Sequence, residues 1–299
     1  MPKFIKRGKK MKLTHPSELK RVIEEYGFSF SKGLGQNFLI DEGVLNKIID
    51  KSGINESVGV LEIGPGAGTL TQALAEKAAK VIAVEIDGRL IPMLSHTLAE
   101  YDNVSIINED ILKVDLERLI EKDFQGLDVC VVANLPYYIT TPIIMKLLES
   151  ELKIKSLTVM IQKEVADRMT AQPGGKDYGA LTAAVQFYTM PSVICKAEPH
   201  CFMPQPKVES AVIKLEVADA PTVEVKDKEQ MFKIIKSAFG QRRKTLMNAL
   251  SHSPYIKIDK ETVRKALEKM GLDVNVRGEK LSLSEFARLS DIIKEETNI

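Results

Sequence analysis

Short apolar runs alternate with amphipathic stretches through the first two thirds of the chain. Five of the runs have the length and residue types of strands: VGVLEI (58–63), AKVIAVEI (79–86), NVSIIN (103–108), LDVCVVANL (127–135) and LTVMIQ (157–162). Apolar residues at three- and four-residue spacing predict helices over 68–78, 87–100 and 141–150. The strand-like runs are continuously apolar, which is typical of strands buried on both faces. This alternation predicts a parallel sheet with right-handed crossovers.

Two more strand-like segments follow a helical stretch over 179–188. They cover 191–196 and 210–217, and no helical pattern separates them, so they predict an antiparallel hairpin at the sheet edge. Beyond residue 217 the pattern is almost entirely helical, and Ser282 with Glu285 forms a capping-box pattern before the last helix. The fold class is therefore α/β: a Rossmann-like, mostly parallel sheet followed by a small all-helical domain.

The predicted domain boundaries follow these changes of pattern. Residues 1–27 form a basic extension with a helix, residues 28–218 form the α/β domain, and residues 219–299 form the helical domain. Residues 1–21 contain eight Lys and Arg residues against one acid, Glu18. The whole chain carries a formal charge of only +1, which excludes a uniformly basic nucleic-acid coat protein but not a polarised one.

Composition narrows the class of protein further. Hydrophobic residues make up 44% and charged residues 28% of the 299, which excludes a disordered chain or a disulfide scaffold. The cysteines form neither a paired framework nor a CxxC motif, and the histidines show no metal-ligand spacing, so no metal is expected. These residues are Cys130, Cys195 and Cys201, and His15, His96, His200 and His252. No apolar run approaches the ~18 residues of a membrane span, and we expect a cytoplasmic monomer.

A glycine-rich turn follows the first strand of the alternating region. Gly64, Gly66 and Gly68 come between this strand and a helix, and the missing Cβ atoms allow a ligand to lie against the backbone. A dinucleotide fingerprint would need a glycine where Thr69 stands. The GxGxG pattern therefore brings the backbone close to a ligand but lacks the third glycine that is associated with dinucleotide fingerprints.

Two acids mark the ends of the next two strands. Glu85 can accept hydrogen bonds from both hydroxyls of a ribose, and Asp110 can accept one from an adenine amino group. Ile86 and Ile111 can supply apolar walls. Because the carboxyl ends of parallel strands share one edge, these residues and the glycine turn predict one binding site.

Six motifs follow one another along the chain: GLGQNFLID (33–41), LEIGPGAGTLT (61–71), VIAVEID (81–87), NLPYYITTP (134–142), FMPQPKVESAV (202–212) and FGQRRKTL (239–246). In the same order, they resemble the motifs of the S-adenosylmethionine-dependent rRNA adenine N6,N6-dimethyltransferases. The QRRKTL segment and the helical C-terminal part are more similar to the small-subunit (16S-type) enzymes than to the large-subunit antibiotic-resistance methyltransferases. The resemblance implies S-adenosylmethionine as cofactor, and small-subunit rRNA in an immature ribosomal subunit as partner. It also implies dimethylation of two adjacent adenosines near the rRNA 3′ end.

The NLPY segment explains how an amine could be methylated. An exocyclic adenine amine is a poor nucleophile, and acceptors that hold its hydrogens favour a more tetrahedral nitrogen. The Asn134 side-chain oxygen and the Leu135 carbonyl are these acceptors, and Pro136 keeps them rigid. Tyr137 can stack on the target base, and the resemblance gives Phe202 the opposite face. Tyr138 is interpreted as a packing residue.

The resemblance adds two further groups of residues. It implies that Asn37 and Leu39 close over the methionine end of the cofactor. A purely structural interpretation of the same segment, a helix-entry turn with Asp41 as the N-cap, is compatible with that role. A basic cluster on or near one helix is expected to contact RNA phosphates. Its members are Lys236, Arg242, Arg243 and Lys244.

Three alternatives stay open at this point. A large-subunit rRNA adenine methyltransferase shares most of these motifs. A non-catalytic RNA-binding assembly factor could keep the fold without the chemistry, although the intact NLPY segment and glycine turn speak against it. A nicotinamide-dependent reductase is disfavoured by Thr69 and by the lack of a Ser/Tyr/Lys proton relay.

Overall fold

The computed structural model describes residues 11–150 and 152–297. Residues 1–10, which carry much of the predicted basic extension, lie outside the described residues. Nine strands are described: β1 (Phe38–Leu39), β2 (Val58–Ile63), β3 (Lys80–Glu85), β4 (Val104–Asn108), β5 (Asp128–Asn134), β6 (Ile154–Gln162), β7 (Thr189–Ala197), β8 (Phe202–Met203) and β9 (Ser210–Val217). Twelve α-helices are described: α1 (Pro16–Glu25), α2 (Glu42–Ser52), α3 (Thr69–Ala75), α4 (Ile91–Thr97), α5 (Leu116–Asp123), α6 (Thr140–Glu149), α7 (Lys163–Met169), α8 (Ala180–Tyr188), α9 (Lys228–Gly240), α10 (Leu246–Ser251), α11 (Lys260–Met270) and α12 (Leu283–Thr297).

Seven strands form one sheet in the order β4-β3-β2-β5-β6-β9-β7. The pairs β4–β3, β3–β2, β2–β5 and β5–β6 are all parallel. The strands β9 and β7 occupy the other edge, where the sequence predicted a hairpin, and the sheet is mixed but mostly parallel. The α/β fold class is confirmed.

Burial along the strands agrees with the continuous apolar runs, with one exception. All six residues of β2 are buried, as are most of those in β3, β5 and β6. The strand β4 is only half buried, because it forms the edge of the sheet. The prediction that every such run is buried on both faces was therefore wrong for β4.

The chain divides into two compact units. The first contains 11–163 and 193–215, and the second contains 164–192 and 216–297, among the described residues. The predicted boundary at residue 218 lies close to one of these divisions. The segment 164–192, however, which the sequence placed with the α/β domain, clusters with the C-terminal helices.

The second unit has its own apolar core. Ala183 and Phe187 of α8 pack with Met231, Phe286 and other buried side chains of the later helices. This packing is why the segment containing α8 groups with the C-terminal helices. The helical pattern beyond residue 217 is interrupted after Gly240, because residues 241–245 form a turn between α9 and α10.

A two-stranded ribbon lies apart from the main sheet. The short strands β1 and β8 pair antiparallel, with Leu39 opposite Phe202. Asp41 caps α2 as expected, because its side chain accepts a hydrogen bond from the Val44 backbone N–H at 2.7 Å. No helix within the described residues is both long and apolar enough to cross a membrane.

Candidate active site

A cleft opens in the first unit beyond the carboxyl ends of β2, β3 and β5. It encloses about 970 Å³ when its solvent-open mouth is counted, and both the glycine turn and the NLPY segment line it. Twelve of the predicted site residues line it: Asn37, Leu39, Gly64, Gly66, Glu85, Ile86, Asp110, Ile111, Asn134, Leu135, Pro136 and Tyr137. Ligands bind at this edge of open α/β sheets, so the predicted residues meet where the topology places a site.

The glycine turn is held tightly between β2 and α3. The Gly64 N–H donates to the Val84 carbonyl at 2.9 Å, and all three glycines have positive φ, which favours glycine. A Cβ on Gly66 would lie only 2.7 Å from the Phe38 ring. A Cβ on Gly68 would lie 3.0 Å from the Thr97 hydroxyl, outside the cleft lining. Gly68 therefore shapes the turn, and its role as a ligand contact stays a prediction.

Glu85 is a buried acid fixed by backbone donors. One carboxylate oxygen accepts from the Asp87 N–H at 2.8 Å, and the other accepts from the Gly66 N–H at 3.3 Å. Burial raises the pKa of Glu85, while these hydrogen bonds lower it in part. The carboxylate thereby connects the end of β3 to the glycine turn.

Glu62 is a second acid at the cleft that the sequence analysis missed. It is only 1% exposed, and no described residue donates a hydrogen bond to its Oε2 atom. Burial raises the pKa of Glu62 to about 8, the Thr71 side chain lowers it in part, and the nearby charge of Glu85 adds to the increase. The sequence did carry a signal for Glu62, which is its position inside the apolar run 58–63. An acid in a buried strand is unusual, because acids are almost never fully buried unless they are paired.

The loop after β4 carries Asp110 and Ile111. The Asp110 carboxylate accepts from the Leu112 N–H at 3.0 Å, which fixes its orientation. Lys146 of α6 donates to three carbonyls of this loop, those of Ile111 at 3.1 Å, Leu112 at 2.8 Å and Val114 at 2.9 Å. Sequence reasoning missed Lys146, because a lysine in an amphipathic helix is ordinarily a solvated charge.

Asn134 meets the segment before β1 at the centre of the cleft. Its side-chain Nδ2 donates to the Asn37 carbonyl at 2.8 Å. An amide that donates with its nitrogen keeps its oxygen as an acceptor, which is the role predicted for Asn134. The Leu135 N–H donates to the Met160 carbonyl at 3.0 Å, and this bond anchors the NLPY segment to β6.

Gln36 ties the same segment to the loop after β3. Its Nε2 donates to Asp87 at 2.7 Å, and its Oε1 accepts from the Ser31 N–H at 2.7 Å. Arg89 and then Gln36 stabilise the Asp87 carboxylate and lower its pKa to about 2. Gln36 belongs to a motif that the sequence analysis quoted, but it received no role there.

The three aromatic residues have different environments. The Tyr137 hydroxyl lies 2.6 Å from the Ser210 hydroxyl and its side chain is half buried. Tyr138 lines the cleft and is 54% exposed, so its interpretation as a packing residue was wrong. Phe202 is only 2% exposed and packs in the apolar cluster of Leu39, outside the cleft lining. The structure does not bring Phe202 to the cleft, and its stacking role stays a prediction.

The basic cluster lies in the second unit. Lys236 is on α9, with its ammonium 4.1 Å from the centre of the Tyr255 ring, and the other three residues follow α9 in the turn. Arg242 donates to the Lys176 carbonyl at 3.0 Å and pairs with Glu279 at 3.2 Å. Arg242 thus has a structural partner, whereas the side chains of Arg243 and Lys244 are exposed.

The sequence has close relatives of known name. Residues 27–295 match the family described as "Ribosomal RNA adenine dimethylase". This chain belongs to that family. "Ribosomal RNA small subunit methyltransferase A" of Alkaliphilus metalliredigens is 56% identical over 93% of this chain and 97% of the relative. The protein of the same name from Geobacillus thermodenitrificans is 52% identical over 93% and 96% of the two chains.

Solved structures also resemble this member of the dimethylase family. A dimethyladenosine transferase from Plasmodium falciparum has a TM-score of 0.70 and 28% identity, over 84% of this chain and 95% of that one. The 23S rRNA methyltransferase ErmE has a TM-score of 0.67 and 26% identity, over 86% and 100% of the two chains. Both neighbours are methyltransferases, which supports the methyltransferase fold.

Proposed function

We propose that this protein uses S-adenosylmethionine to dimethylate N6 of two adjacent adenosines near the 3′ end of small-subunit rRNA, during assembly of the small ribosomal subunit. The observation that carries the proposal is the position of Asn134 and Leu135 at the same cleft as the glycine turn and Glu85. Family membership and relatives named as small-subunit methyltransferases support the choice of substrate.

The polar groups of the cleft fit S-adenosylmethionine. Glu85 and Asp110 offer carboxylates to the ribose hydroxyls and the adenine amine, and Ile86 and Ile111 offer apolar surface to the adenine ring. Gly66 leaves space that a Cβ could not share with Phe38. Asn37 and Leu39 lie at the same cleft and would hold the methionine end. When bound, the cofactor supplies a methyl carbon attached to a positively charged sulfur.

Asn134 and Leu135 act on the target amine. The hydrogen bond from Asn134 to the Asn37 carbonyl fixes the side chain, so that its oxygen and the Leu135 carbonyl can accept the two amino hydrogens. Held in this way, the nitrogen lone pair leaves the plane of the base and would attack the methyl carbon in line with the sulfur–carbon bond. That bond would break as the nitrogen–carbon bond forms, and its electron pair would stay on the sulfur. Positioning and electrostatics account for most of the catalysis.

The remaining steps need little from titrating side chains. After attack the nitrogen is cationic and strongly acidic, so its proton passes to water. Tyr137 stacks on the flipped base, and its hydrogen bond with Ser210 holds the ring in place. Burial raises the pKa of Tyr137, so its hydroxyl stays neutral at physiological pH.

The second unit supplies contacts to RNA. Arg243 and Lys244 are exposed cations in the turn that follows α9, the helix of Lys236, and phosphates favour such groups. The protein acts in the cytoplasm as a monomer and needs no metal for methyl transfer. Its substrate is an immature small ribosomal subunit.

The main test is Asn134→Ala. Removal of the amide leaves the amine without one of its acceptors, so we expect the methylation rate of immature small subunits to fall at least 100-fold. Cofactor affinity, measured by calorimetry, should change much less, and RNA affinity should not change. A rate within threefold of the wild type would refute the role of Asn134.

A second assay separates the proposed function from its closest alternative. The fold also resembles the 23S rRNA methyltransferase ErmE, so the purified protein is given methyl-labelled cofactor with either immature small subunits or large-subunit rRNA. We expect dimethyladenosine, identified by mass spectrometry, only in the small-subunit rRNA. Label confined to the large-subunit rRNA would assign the alternative activity.

A further inference from the structure

Three metal-ligating side chains converge beside the ribbon of β1 and β8. Donor atoms of Asp41, His200 and Cys201 all lie within 4.8 Å of one another. Asp41 follows β1 and the other two residues precede β8, and the Ile40 N–H donates to the Cys201 carbonyl at 2.8 Å. The ribbon thus brings together residues that are far apart in the sequence, which is why no ligand spacing was visible there.

The donor set indicates the ion. A thiolate, an imidazole and a carboxylate suit Zn²⁺, whereas Mg²⁺ and Ca²⁺ prefer oxygen donors alone. Bonds of about 2.0–2.3 Å in a tetrahedral site place neighbouring donors about 3.3–3.8 Å apart, which lies within the observed limit. With three protein ligands, a water molecule completes the tetrahedron.

Each residue keeps an atom available for the ion. Oδ1 of Asp41 accepts from the Val44 N–H, which leaves Oδ2 for coordination. His200 Nδ1 lies 3.3 Å from a carboxylate oxygen of Glu198, so a proton on Nδ1 can be directed at Glu198 while the second ring nitrogen, Nε2, carries a lone pair. Zinc-bound histidines commonly have such a carboxylate partner. Cys201 is 4% exposed, and its sulfur lies within 4.8 Å of the donor atoms of Asp41 and His200.

We propose that Asp41, His200 and Cys201 form a Zn²⁺ site that connects the residue after β1 to the turn before β8. On binding, the Cys201 thiol releases its proton to solvent and the sulfur coordinates as a thiolate. The ion fixes the ribbon that carries Leu39, a residue of the cleft lining. The site is separate from methyl transfer, which needs no metal.

The experiment is metal binding to the full chain after treatment with a chelator, without cofactor or RNA. Zn²⁺ binding is measured by calorimetry, and Co²⁺ is used as a spectroscopic probe because thiolate ligation gives an intense near-ultraviolet band. We expect one ion per chain, a thiolate–Co²⁺ band, and a higher midpoint of thermal unfolding with Zn²⁺. Failure to bind metal would overturn this proposal and leave the proposed methyl transfer untouched.

Variants identify the ligands. Cys201→Ser should abolish the band, whereas Cys195→Ser should retain it. His200→Ala should weaken Zn²⁺ binding at least tenfold, whereas His252→Ala should not. Since the His200 side chain is exposed, its replacement leaves the fold intact. Asp41→Asn keeps a residue suited to the helix cap and should also weaken binding about tenfold. Wild-type affinity in both Cys201→Ser and His200→Ala would contradict the assignment.

Discussion

At the scale of single residues, the cleft contains two acids whose pKa values are above the ordinary value. Glu62 and Glu85 are both buried beside the glycine turn, and burial raises the pKa of each. Two ionised carboxylates in so small a space would repel each other. A neutral Glu62 avoids this repulsion, while the backbone N–H groups of Asp87 and Gly66 favour the ionised form of Glu85.

The variant Glu62→Gln tests the protonation of Glu62 through stability. Between the ordinary pKa of 4.5 and about 8, the unfolded chain is ionised at this residue while the folded protein is protonated. Raising the pH therefore favours unfolding of the wild type by up to about 1.4 kcal/mol per pH unit. Glutamine does not titrate, so the free energy of unfolding of the variant, relative to wild type, should increase from pH 5 to pH 8. Urea denaturation at several pH values measures it, and parallel profiles would contradict the prediction.

Gly66 and Gly27 make a matched pair for the cost of a Cβ at the glycine turn. Both have positive φ, but a Cβ on Gly27 would meet nothing within 4 Å, whereas one on Gly66 would meet the Phe38 ring. Phe38 is packed against Phe28 and Phe30, so it cannot move away easily. Gly27→Ala should cost about 1 kcal/mol of unfolding free energy.

Gly66→Ala should cost about 1–3 kcal/mol more than Gly27→Ala, because the ring contact adds overpacking to the backbone strain. Urea denaturation of the two variants measures the difference. Equal losses of stability would show that Phe38 yields to the added methyl group.

The cleft residues at the ends of strands could be predicted from the sequence. The cleft residues that act through contacts with distant parts of the chain could not. Gly64, Glu85 and Asn134 stand at strand ends, where topology alone brings them together. Gln36 and Lys146 matter because of bonds to loops distant in sequence, and no local pattern shows such bonds. The burial of Phe202 was equally invisible, since a motif does not reveal whether its ring is exposed, and its stacking role stays a prediction.

At the scale of elements, α6 supports the loop after β4. Lys146 uses its three N–H donors on three loop carbonyls, so its loss would leave these carbonyls without their partner. Lys146→Met should weaken S-adenosylmethionine binding about tenfold, because the loop holds Asp110 and Ile111. Calorimetry measures the affinity.

Lys155 supplies the control for Lys146. Its side chain is mostly exposed and lies 3.7 Å from Asp128 in a surface ion pair, so Lys155→Met should leave cofactor affinity unchanged. Lys146→Arg should recover part of the lost affinity, since the guanidinium can also donate to several carbonyls. An equal effect of both methionine variants would exclude a specific role for Lys146.

The elements of the sheet were predictable because their apolar runs are long. All seven strands of the main sheet lie where the runs place them, and Ser210–Val217 matches its predicted bounds. The two-residue strands β1 and β8 are too short to produce a pattern, and they exist because of their pairing with each other. The turn between α9 and α10 interrupts a helical pattern that local spacing alone would have continued.

At the scale of the whole molecule, we propose that the first unit carries out methyl transfer and that the second unit binds RNA. Replacement of both Arg243 and Lys244 by Ala should weaken rRNA binding without changing cofactor affinity. The salt dependence should also decrease, by about 0.7–0.9 in the log–log slope for each lost phosphate contact. Filter binding at several salt concentrations measures both quantities.

Two lysines of the second unit, each in an ion pair with a glutamate, provide the control for Arg243 and Lys244. Lys226 forms an ion pair with Glu295, and Lys269 forms one with Glu296. Replacement of both lysines by Ala should therefore alter RNA binding little. If it weakens binding as much as the loss of Arg243 and Lys244, the attraction is a general effect of net charge rather than a property of the basic cluster.

The interleaving of the two units has a consequence for how the chain can be divided. Each unit is built from two separate ranges of the chain, because 164–192 belong to the second unit and 193–215 belong to the first. Neither unit is therefore encoded by one uninterrupted stretch of the gene. A fragment that starts at residue 219 would lack α8, whose Phe187 belongs to the core of the helical unit. During synthesis, the central sheet also waits for its last strand until the ribosome has passed residue 217. Transfer of the helical unit from one relative to another would therefore require recombination of the gene at more than one point.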